Sequence, residues 1–354
     1  MFLKNQWYIA AWSHEIGRSL LARRIAGEPV VFYRTAAGQA VAFEDRCPHR
    51  LAPLSRGRLK GDTLECGYHG VTFAADGACV HMPGQETIPN GAHVRAYRLE
   101  ERWGWVWIWL GDTARADTAL LPEFHWMAEP GWTPLGGTLH FKAHYQLLLD
   151  NLLDLSHEAF LHAGTIGNAA VADVPATMRA EGDKVHVTRF MPGCPPPPLF
   201  VRARGFTGKI DRLQDITFSP PCYVAIDVCA TPAGANDRRD ALEWRVLNAL
   251  TPETESTTHY FWGMPRHFAL EDRELDTMLE RAIVKTFNED REMLEAQQVT
   301  LEEASLDQRS LMTDADAGPS RARSVIARLL REEQPRPPGA HQVTPVRESV
   351  SPAR

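Results

Sequence analysis

The amino-acid sequence predicts an α+β protein, with an all-β domain at the N-terminus and a domain of helices and strands after it. Three observations support this fold class. Short runs of β-branched and aromatic residues alternate with turn residues over roughly the first 110 positions. Apolar residues then recur at helical spacing from Tyr145 to Leu161, and a longer helical pattern covers 271–303.

Four apolar runs are the strand candidates of the first domain: Val30–Tyr33, Ala40–Phe43, Val94–Leu99 and Trp105–Leu110. Turn residues separate them, as Gly38 does between the first two. The last run alternates large aromatics, which is typical of a strand with one buried face.

Beyond a polar connector, the chain combines helical and strand patterns. The helix that begins at Tyr145 is followed by a stiff proline loop at Gly193–Pro198. Further elements are predicted as three strands and one amphipathic helix, at Val185–Phe190, Tyr223–Ala230, Leu242–Thr251 and Arg321–Glu333.

These patterns divide the chain into two domains and a tail. The first domain is predicted over 1–113 and the second over 114–334. Residues 335–354 are rich in Pro, Arg and Ser, and this composition predicts a disordered tail.

Composition restricts the classes of function. The 354 residues carry a net charge of −7, which argues against general binding to nucleic acid or anionic lipid. No run approaches the ~20 apolar residues that cross a bilayer, and no secretory signal is evident, so we expect a cytoplasmic protein. The six cysteines are expected to be thiols or metal ligands, four of them only packing in the interior.

The strongest motif is Cys47-Pro-His49 followed by Cys66-Gly-Tyr-His69. A Rieske [2Fe–2S] cluster binds one iron through two cysteines and the other through two histidines. Each of the two short pairs would supply one thiolate and one imidazole. A zinc site uses the same residue types at a different spacing, and coincidence is the remaining alternative.

A second motif, from Asn151 to His162, has the residues of a mononuclear iron site. A facial triad of two histidines and one carboxylate leaves open positions on iron, and His157 and His162 would be the histidines. Five residues separate them, roughly 140° on a regular helix, so they converge only if the helix ends or distorts between them. Unrelated core or surface histidines are the alternative.

The third ligand would be a carboxylate far along the chain. Glu289, Asp290 and Glu292 compete within one helical stretch, and their spacing does not choose among them.

The motifs CPHRLAP, CGYHG and N-x-x-D-x-x-H-x4-H resemble those of the Rieske non-haem iron oxygenases, with Leu51 and Val71 where many members have Gly and Trp. Nearly the whole chain is similar to the vanillate O-demethylase oxygenase group, including segments such as MPGQ, DNLLD and FWGM. The resemblance implies a Rieske domain followed by a helix-grip catalytic domain with an antiparallel sheet. It also implies Asp290 as the third iron ligand and catalytic roles for Asn151 and Asp154.

In that family the acid matching Asp154 bridges an iron-binding histidine and the Rieske histidine of a neighbouring subunit, which implies a homotrimer. The alternative is that Asp154 only orients His157.

The implied function is that of the terminal oxygenase of a two-component monooxygenase. An NAD(P)H-dependent reductase would supply electrons, and O2 would oxidise the methyl group of a small vanillate-like aromatic acid, releasing a phenol and formaldehyde. Hydroxylation of a methyl group or ring in another aromatic is an alternative, and a Rieske electron carrier without oxygen chemistry is another. A substrate carboxylate would need a polar or cationic partner, for which His259, Arg245 and Arg189 are candidates.

Overall fold

The computed structural model describes residues 1–304 and 311–334 and has the predicted α+β architecture. The predicted tail at 335–354 lies outside the described residues. In the described ranges, no helix is both long and apolar enough to cross a membrane.

The N-terminal region consists of three small antiparallel sheets. One has the strand order β1-β10-β9, one has β2-β3-β4 and one has β5-β6-β7-β8. Their bounds are β1 Trp7–Trp12, β2 Leu21–Ile25, β3 Glu28–Arg34, β4 Ala40–Glu44, β5 Arg58–Lys60, β6 Thr63–Glu65, β7 Thr72–Phe73, β8 Cys79–His81, β9 Arg98–Arg102 and β10 Trp105–Trp109.

The second region is built on one seven-stranded antiparallel sheet with the order β11-β17-β16-β15-β14-β13-β12. Six of its strands follow one another along the chain, and β11 closes the edge beside β17. The bounds are β11 Gly136–Phe141, β12 Thr177–Glu181, β13 Lys184–Cys194, β14 Ile210–Ser219, β15 Tyr223–Pro232, β16 Leu242–Thr254 and β17 Thr257–Gly263.

Helices cover the inner face of this sheet, as the helix-grip arrangement requires. The longest is α5, of 31 residues, and its buried side chains recur at helical spacing. The bounds are α1 Tyr145–Leu153, α2 Glu158–Leu161, α3 Ala169–Asp173, α4 Pro198–Arg204, α5 Arg273–Glu303 and α6 Ala317–Glu333.

Three local predictions need correction. The strand expected at Val94–Leu99 lies at Arg98–Arg102, because 94–97 make only isolated bridges. The proline segment does not stay a loop, since Pro198 occupies the first turn of α4, where its missing N–H costs nothing. Finally, the helix predicted from Tyr145 to Leu161 is broken at Asp154.

Two hydrophobic cores are present. The smaller one surrounds Cys47 and Cys66. The larger one is continuous from β1 and β10 into the seven-stranded sheet, where the hydroxyl group of Tyr223 donates to the Trp7 carbonyl at 2.7 Å and that of Thr251 to the Ile9 carbonyl at 2.8 Å. The N-terminal sheet β1-β10-β9 is therefore packed directly on the second region, and the boundary near residue 113 stays a prediction.

The start of α5 is held by a buried arginine. Arg266 has a fully buried side chain, and its guanidinium donates to Asp276 at 2.5 Å and to the Ala269 carbonyl at 2.7 Å. Arg273 reaches the same carboxylate at 3.3 Å, but its side chain is 87% exposed. Both arginines thus pair with Asp276, Arg266 from a buried position and Arg273 from an exposed one.

We expect Arg266→Ala to lower the free energy of unfolding by about 3–5 kcal/mol, because Asp276 then loses its buried partner and keeps only the exposed Arg273. Arg273→Ala is the matched control and should cost less than about 1 kcal/mol. Urea denaturation followed by circular dichroism measures both. Equal losses in the two variants would contradict this account of the helix start.

Candidate active site

The break after α1 sets the direction of the first histidine. Asp154 adopts extended backbone angles, and its carboxylate accepts a hydrogen bond from the Ser156 N–H at 2.9 Å. A 3-10 turn over Leu155–His157 follows, and α2 ends at Leu161, so that His162 lies just beyond the helix. The helix therefore distorts before His157 and ends before His162, which meets the condition that the five-residue spacing imposes.

The two imidazoles point at one carboxylate. Asp290 Oδ1 lies 3.0 Å from His162 Nε2 and 3.4 Å from His157 Nε2. Asn151 Nδ2 lies 3.1 Å from the same oxygen and 3.3 Å from His157 Nε2. One ligand atom from each of His157, His162 and Asp290 lies within 4.8 Å of the others.

The outward-facing nitrogens of both rings are also held. His157 Nδ1 lies 2.8 Å from the main-chain oxygen of Asp154, and His162 Nδ1 lies 2.8 Å from the Glu289 carboxylate. Such partners fix the ring orientation and leave each Nε2 free to bind a metal. They also separate the competing acids of α5: Asp290 faces both Nε2 atoms, Glu289 supports His162 from behind, and Glu292 is exposed.

The contacts that Asp154 makes within this chain differ from those expected of a bridging carboxylate. Within this chain it contacts His157 through its main-chain oxygen, whereas its carboxylate caps the 3-10 turn. Asp154 therefore supports His157 within the single subunit through its main chain. A bridge from this carboxylate to a neighbouring subunit stays a prediction.

Electrostatics favour a bound cation at this point. Burial alone would raise the pKa of Asp290, but hydrogen bonds and charge from His157 and His162 outweigh it and hold the pKa below its usual value. Burial would lower the pKa of each histidine, yet Asp290 raises both above the ordinary range. The carboxylate is thus stabilised as an anion facing two imidazole nitrogens.

This donor set fits a mononuclear iron. Two imidazoles and one carboxylate are the ligands of the facial triad, which leaves coordination positions open for O2 and substrate. All three side chains are buried or half-buried, and the site is reached through a pocket rather than lying on the surface.

The Cys/His pairs meet at one end of the first region. Cys47 and Cys66 are buried and within hydrogen-bonding distance of each other, and burial raises the pKa of the Cys47 thiol to about 11. The exposed rings of His49 and His69 lie beside them with centroids 4.6 Å apart. Two buried sulfurs and two adjacent imidazoles are the donor set of a Rieske cluster.

The main chain of both loops is shaped around these residues. The N–H groups of His49 and Arg50 lie within hydrogen-bonding distance of the Cys47 sulfur. A Cβ atom at Gly67 would lie 2.4 Å from the Arg56 carbonyl, so the loops approach too closely for a side chain there. Leu51 has a φ of 57°, the left-handed conformation that favours glycine.

A pocket opens beside the histidine pair, between the seven-stranded sheet and α5. It is partly enclosed by these elements and partly open to solvent. Its walls are mostly apolar, from Leu155, Ile166, Leu199, Phe200, Ile226, Val228, Trp244, Val246, Met264, Ile283 and Phe287. The proline segment thus contributes indirectly, by placing Leu199 and Phe200 of α4.

The three predicted partners of a substrate carboxylate do not line this pocket. His259 faces Glu253, Arg245 pairs with Asp227 between two tryptophan rings, and Arg189 lines a separate cavity. Two residues that the sequence analysis missed do line it, namely Arg212 and Gln214. Burial alternates strictly along β14 and places both on the buried face, but the sequence does not show this alternation because Arg and Gln occupy buried positions.

Comparison with known proteins agrees with both sites. Residues 6–97 match the Rieske [2Fe-2S] domain, and residues 141–332 match the vanillate O-demethylase oxygenase C-terminal domain. The chain is 38% identical to the vanillate O-demethylase oxygenase subunit of Pseudomonas sp. (strain HR199 / DSM 7063), covering 94% of this chain and 96% of that protein. It is also 38% identical to a toluene-4-sulfonate monooxygenase iron-sulfur subunit of Comamonas testosteroni, covering 94% and 98%. A crystal structure of dicamba monooxygenase bound to 3,6-dichlorosalicylic acid superimposes with a TM-score of 0.89 at 31% identity, covering 94% and 99%.

The fold and the two sites define a Rieske non-haem iron oxygenase, with one [2Fe–2S] cluster and one mononuclear iron. Within that class, the chain belongs to the vanillate O-demethylase oxygenase family. The predicted helix-grip catalytic domain is confirmed, and a pure electron carrier is excluded by this membership.

The assignment of Asp290 can be tested by metal content. We expect Asp290→Ala to reduce the iron from about three to about two atoms per chain while the absorption of the cluster stays unchanged. Glu292→Ala, an exposed acid on the same helix, is the control and should keep the full content. Iron and sulfide determination on anaerobically purified protein distinguishes the variants. Full iron in Asp290→Ala would rule out its role as a ligand.

Proposed function

We propose that this protein is the terminal oxygenase of a two-component monooxygenase that removes the methyl group from a small methoxylated aromatic acid of the vanillate type. The observation that carries the proposal is the position of His157, His162 and Asp290 at the wall of a mostly apolar pocket. Relatives named as O-demethylase oxygenases, at 34–39% identity, support the same reaction class. The products would be a phenol and formaldehyde.

The side chains of the pocket have separate roles in the proposed reaction. When bound, the iron activates O2 and the cluster supplies electrons one at a time. Apolar walls, such as those formed by Phe200 and Trp244, bind the aromatic ring and exclude water, which limits side reactions of the oxidant. Asn151 lies against both His157 and Asp290, so its amide restrains these two side chains.

Oxidation of a methyl group or ring in an aryl sulfonate is the alternative for the same machinery. It is motivated by the toluene-4-sulfonate monooxygenase relative, which is similar at a comparable level. O-demethylation is preferred because vanillate and dicamba O-demethylase oxygenases both occur among the relatives. Product analysis separates the two, since only demethylation releases formaldehyde.

Two partners are proposed for the oxygenase, an NAD(P)H-dependent reductase and two further copies of the same chain. Exposed apolar side chains border both metal sites, with Tyr68 64% exposed next to His69 and Phe160 79% exposed between His157 and His162. In a head-to-tail homotrimer, the Rieske end of one subunit would lie against the Asp154 segment of the next. The electrons would then cross a subunit boundary.

The reaction is tested by incubating the protein with a reductase, NADH, O2 and vanillate and measuring formaldehyde. We expect formaldehyde in proportion to NADH oxidised, and none from His157→Ala, which should keep its cluster spectrum because His157 is remote in sequence from the cluster motif. His125→Ala, an exposed histidine elsewhere, is the control. Full activity in His157→Ala would contradict the proposed site.

The role of Asp154 is tested by Asp154→Asn. We expect both metal contents and the trimer to persist while turnover falls about 10- to 100-fold, since the carboxylate would no longer bridge the two centres. Single-turnover mixing of reduced protein with substrate and O2 measures how fast the cluster reoxidises. An unchanged reoxidation rate, or a monomeric wild type in light scattering, would remove the proposed bridge.

A further inference from the structure

Two polar side chains lie on the part of the sheet that lines the catalytic pocket, where the other sheet residues are apolar. Along β14, alternate residues from Ile210 to Phe218 point inward, and among these only Arg212 and Gln214 are polar. Gln214 is opposite Val228, which is opposite Trp244, so these three form one row across β14, β15 and β16. All three line the catalytic pocket.

Glu158, the residue after His157, accepts hydrogen bonds from both side chains and balances the charge of Arg212. One oxygen of its carboxylate accepts from Arg212 Nη2 at 2.8 Å, and the other accepts from Gln214 Nε2 at 2.9 Å. All three side chains are at least 96% buried. Among the described residues that line the pocket, Arg212 is the only arginine or lysine, and its charge is already compensated.

One donor and one acceptor are left over at this wall. Arg212 Nε and Gln214 Oε1 are buried, and neither has a hydrogen-bond partner among the described residues. Glu158 fixes which end of the Gln214 amide is free, because a carboxylate can face only the amide nitrogen. Buried polar atoms without partners are rare and costly, so a pair of opposite hydrogen-bonding sense in a ligand pocket indicates a missing ligand group.

We propose that Arg212 Nε and Gln214 Oε1 recognise an uncharged hydroxyl group on the aromatic substrate. A hydroxyl group can accept from Arg212 and donate to Gln214 at the same time. A carboxylate cannot donate to Gln214, and it would bury a second anion close to Glu158. A vanillate-type acid carries both groups, and its phenolic hydroxyl is the one assigned to this wall. The proposal rests on the proposed function and specifies which group of the substrate the pocket wall recognises.

Three probes separate the two groups on the loaded enzyme. Vanillate has the hydroxyl and the carboxylate, 2-methoxyphenol has only the hydroxyl, and 3-methoxybenzoate has only the carboxylate. We expect vanillate and 2-methoxyphenol to bind with similar Kd, and 3-methoxybenzoate about tenfold more weakly, in anaerobic calorimetry without reductant. Weaker binding of 2-methoxyphenol than of 3-methoxybenzoate would overturn the proposal.

Gln214→Met keeps the shape of the side chain and removes its hydrogen bonds. We expect it to weaken vanillate and 2-methoxyphenol about tenfold and to leave 3-methoxybenzoate unchanged. Gln297→Met, an exposed glutamine on α5, is the control and should change none of the three. A purely structural role for Gln214 would weaken all three probes alike, and that result would overturn the assignment.

Formaldehyde release is scored separately, on the wild-type enzyme. A hydroxyl preference in binding without formaldehyde from any probe would refute the demethylase function and support the recognition site. Formaldehyde release without a hydroxyl preference would refute the recognition site alone.

Discussion

The interruption of the helix at Asp154 is the constraint on which the active site depends. On a continuous helix, His157 and His162 would point in directions roughly 140° apart and could not share a metal. The turn capped by Asp154 redirects His157, and the end of α2 releases His162, so that both Nε2 atoms lie within 3.4 Å of one Asp290 oxygen. The rest of the second region completes the site around these short segments. Helix α5 contributes Asp290 and Glu289, and the sheet contributes the pocket wall.

This arrangement concentrates charge in an apolar interior. Asp290 and Glu158 are both buried acids, and each is compensated in a different way. Glu158 has a fixed partner in Arg212, whereas Asp290 faces only imidazoles and the Asn151 amide. The two imidazoles offset the burial of Asp290 without a metal, and a bound divalent cation would take over that role. Folding of this region and metal binding are therefore expected to be coupled.

The features that could be predicted from the sequence are those for which the chemistry allows only a few residue types at fixed spacing. The long helix α5 was predicted correctly, because helical periodicity is a local signal. The cluster motif and the two histidines could be predicted from sequence because ligand spacing is also a local signal. Strand β14 was not assigned individually, and with it Arg212 and Gln214 of the pocket wall were missed. A charged residue such as Arg212 is expected at the surface when only the sequence is known. Its partner Glu158 lies 54 positions away, so no local pattern could reveal that the two form a buried pair. The choice of Asp290 over Glu289 needed the family resemblance, since neighbouring acids on one helix differ only in direction.

Metal binding and substrate recognition come from one stretch of chain. His157 faces the metal site, and the next residue, Glu158, reaches the sheet, where it pairs with Arg212 and fixes the orientation of the Gln214 amide. Gly167 packs against the Glu158 carbonyl so closely that a Cβ atom would lie 1.9 Å from it, which fixes the segment from the far side. A change at residue 158 would thus alter both the counter-charge at the pocket wall and the support of the histidine beside it. Because these roles share a backbone, we expect substitutions at the pocket positions of β15 and β16 to disturb the metal ligands less than a substitution at residue 158.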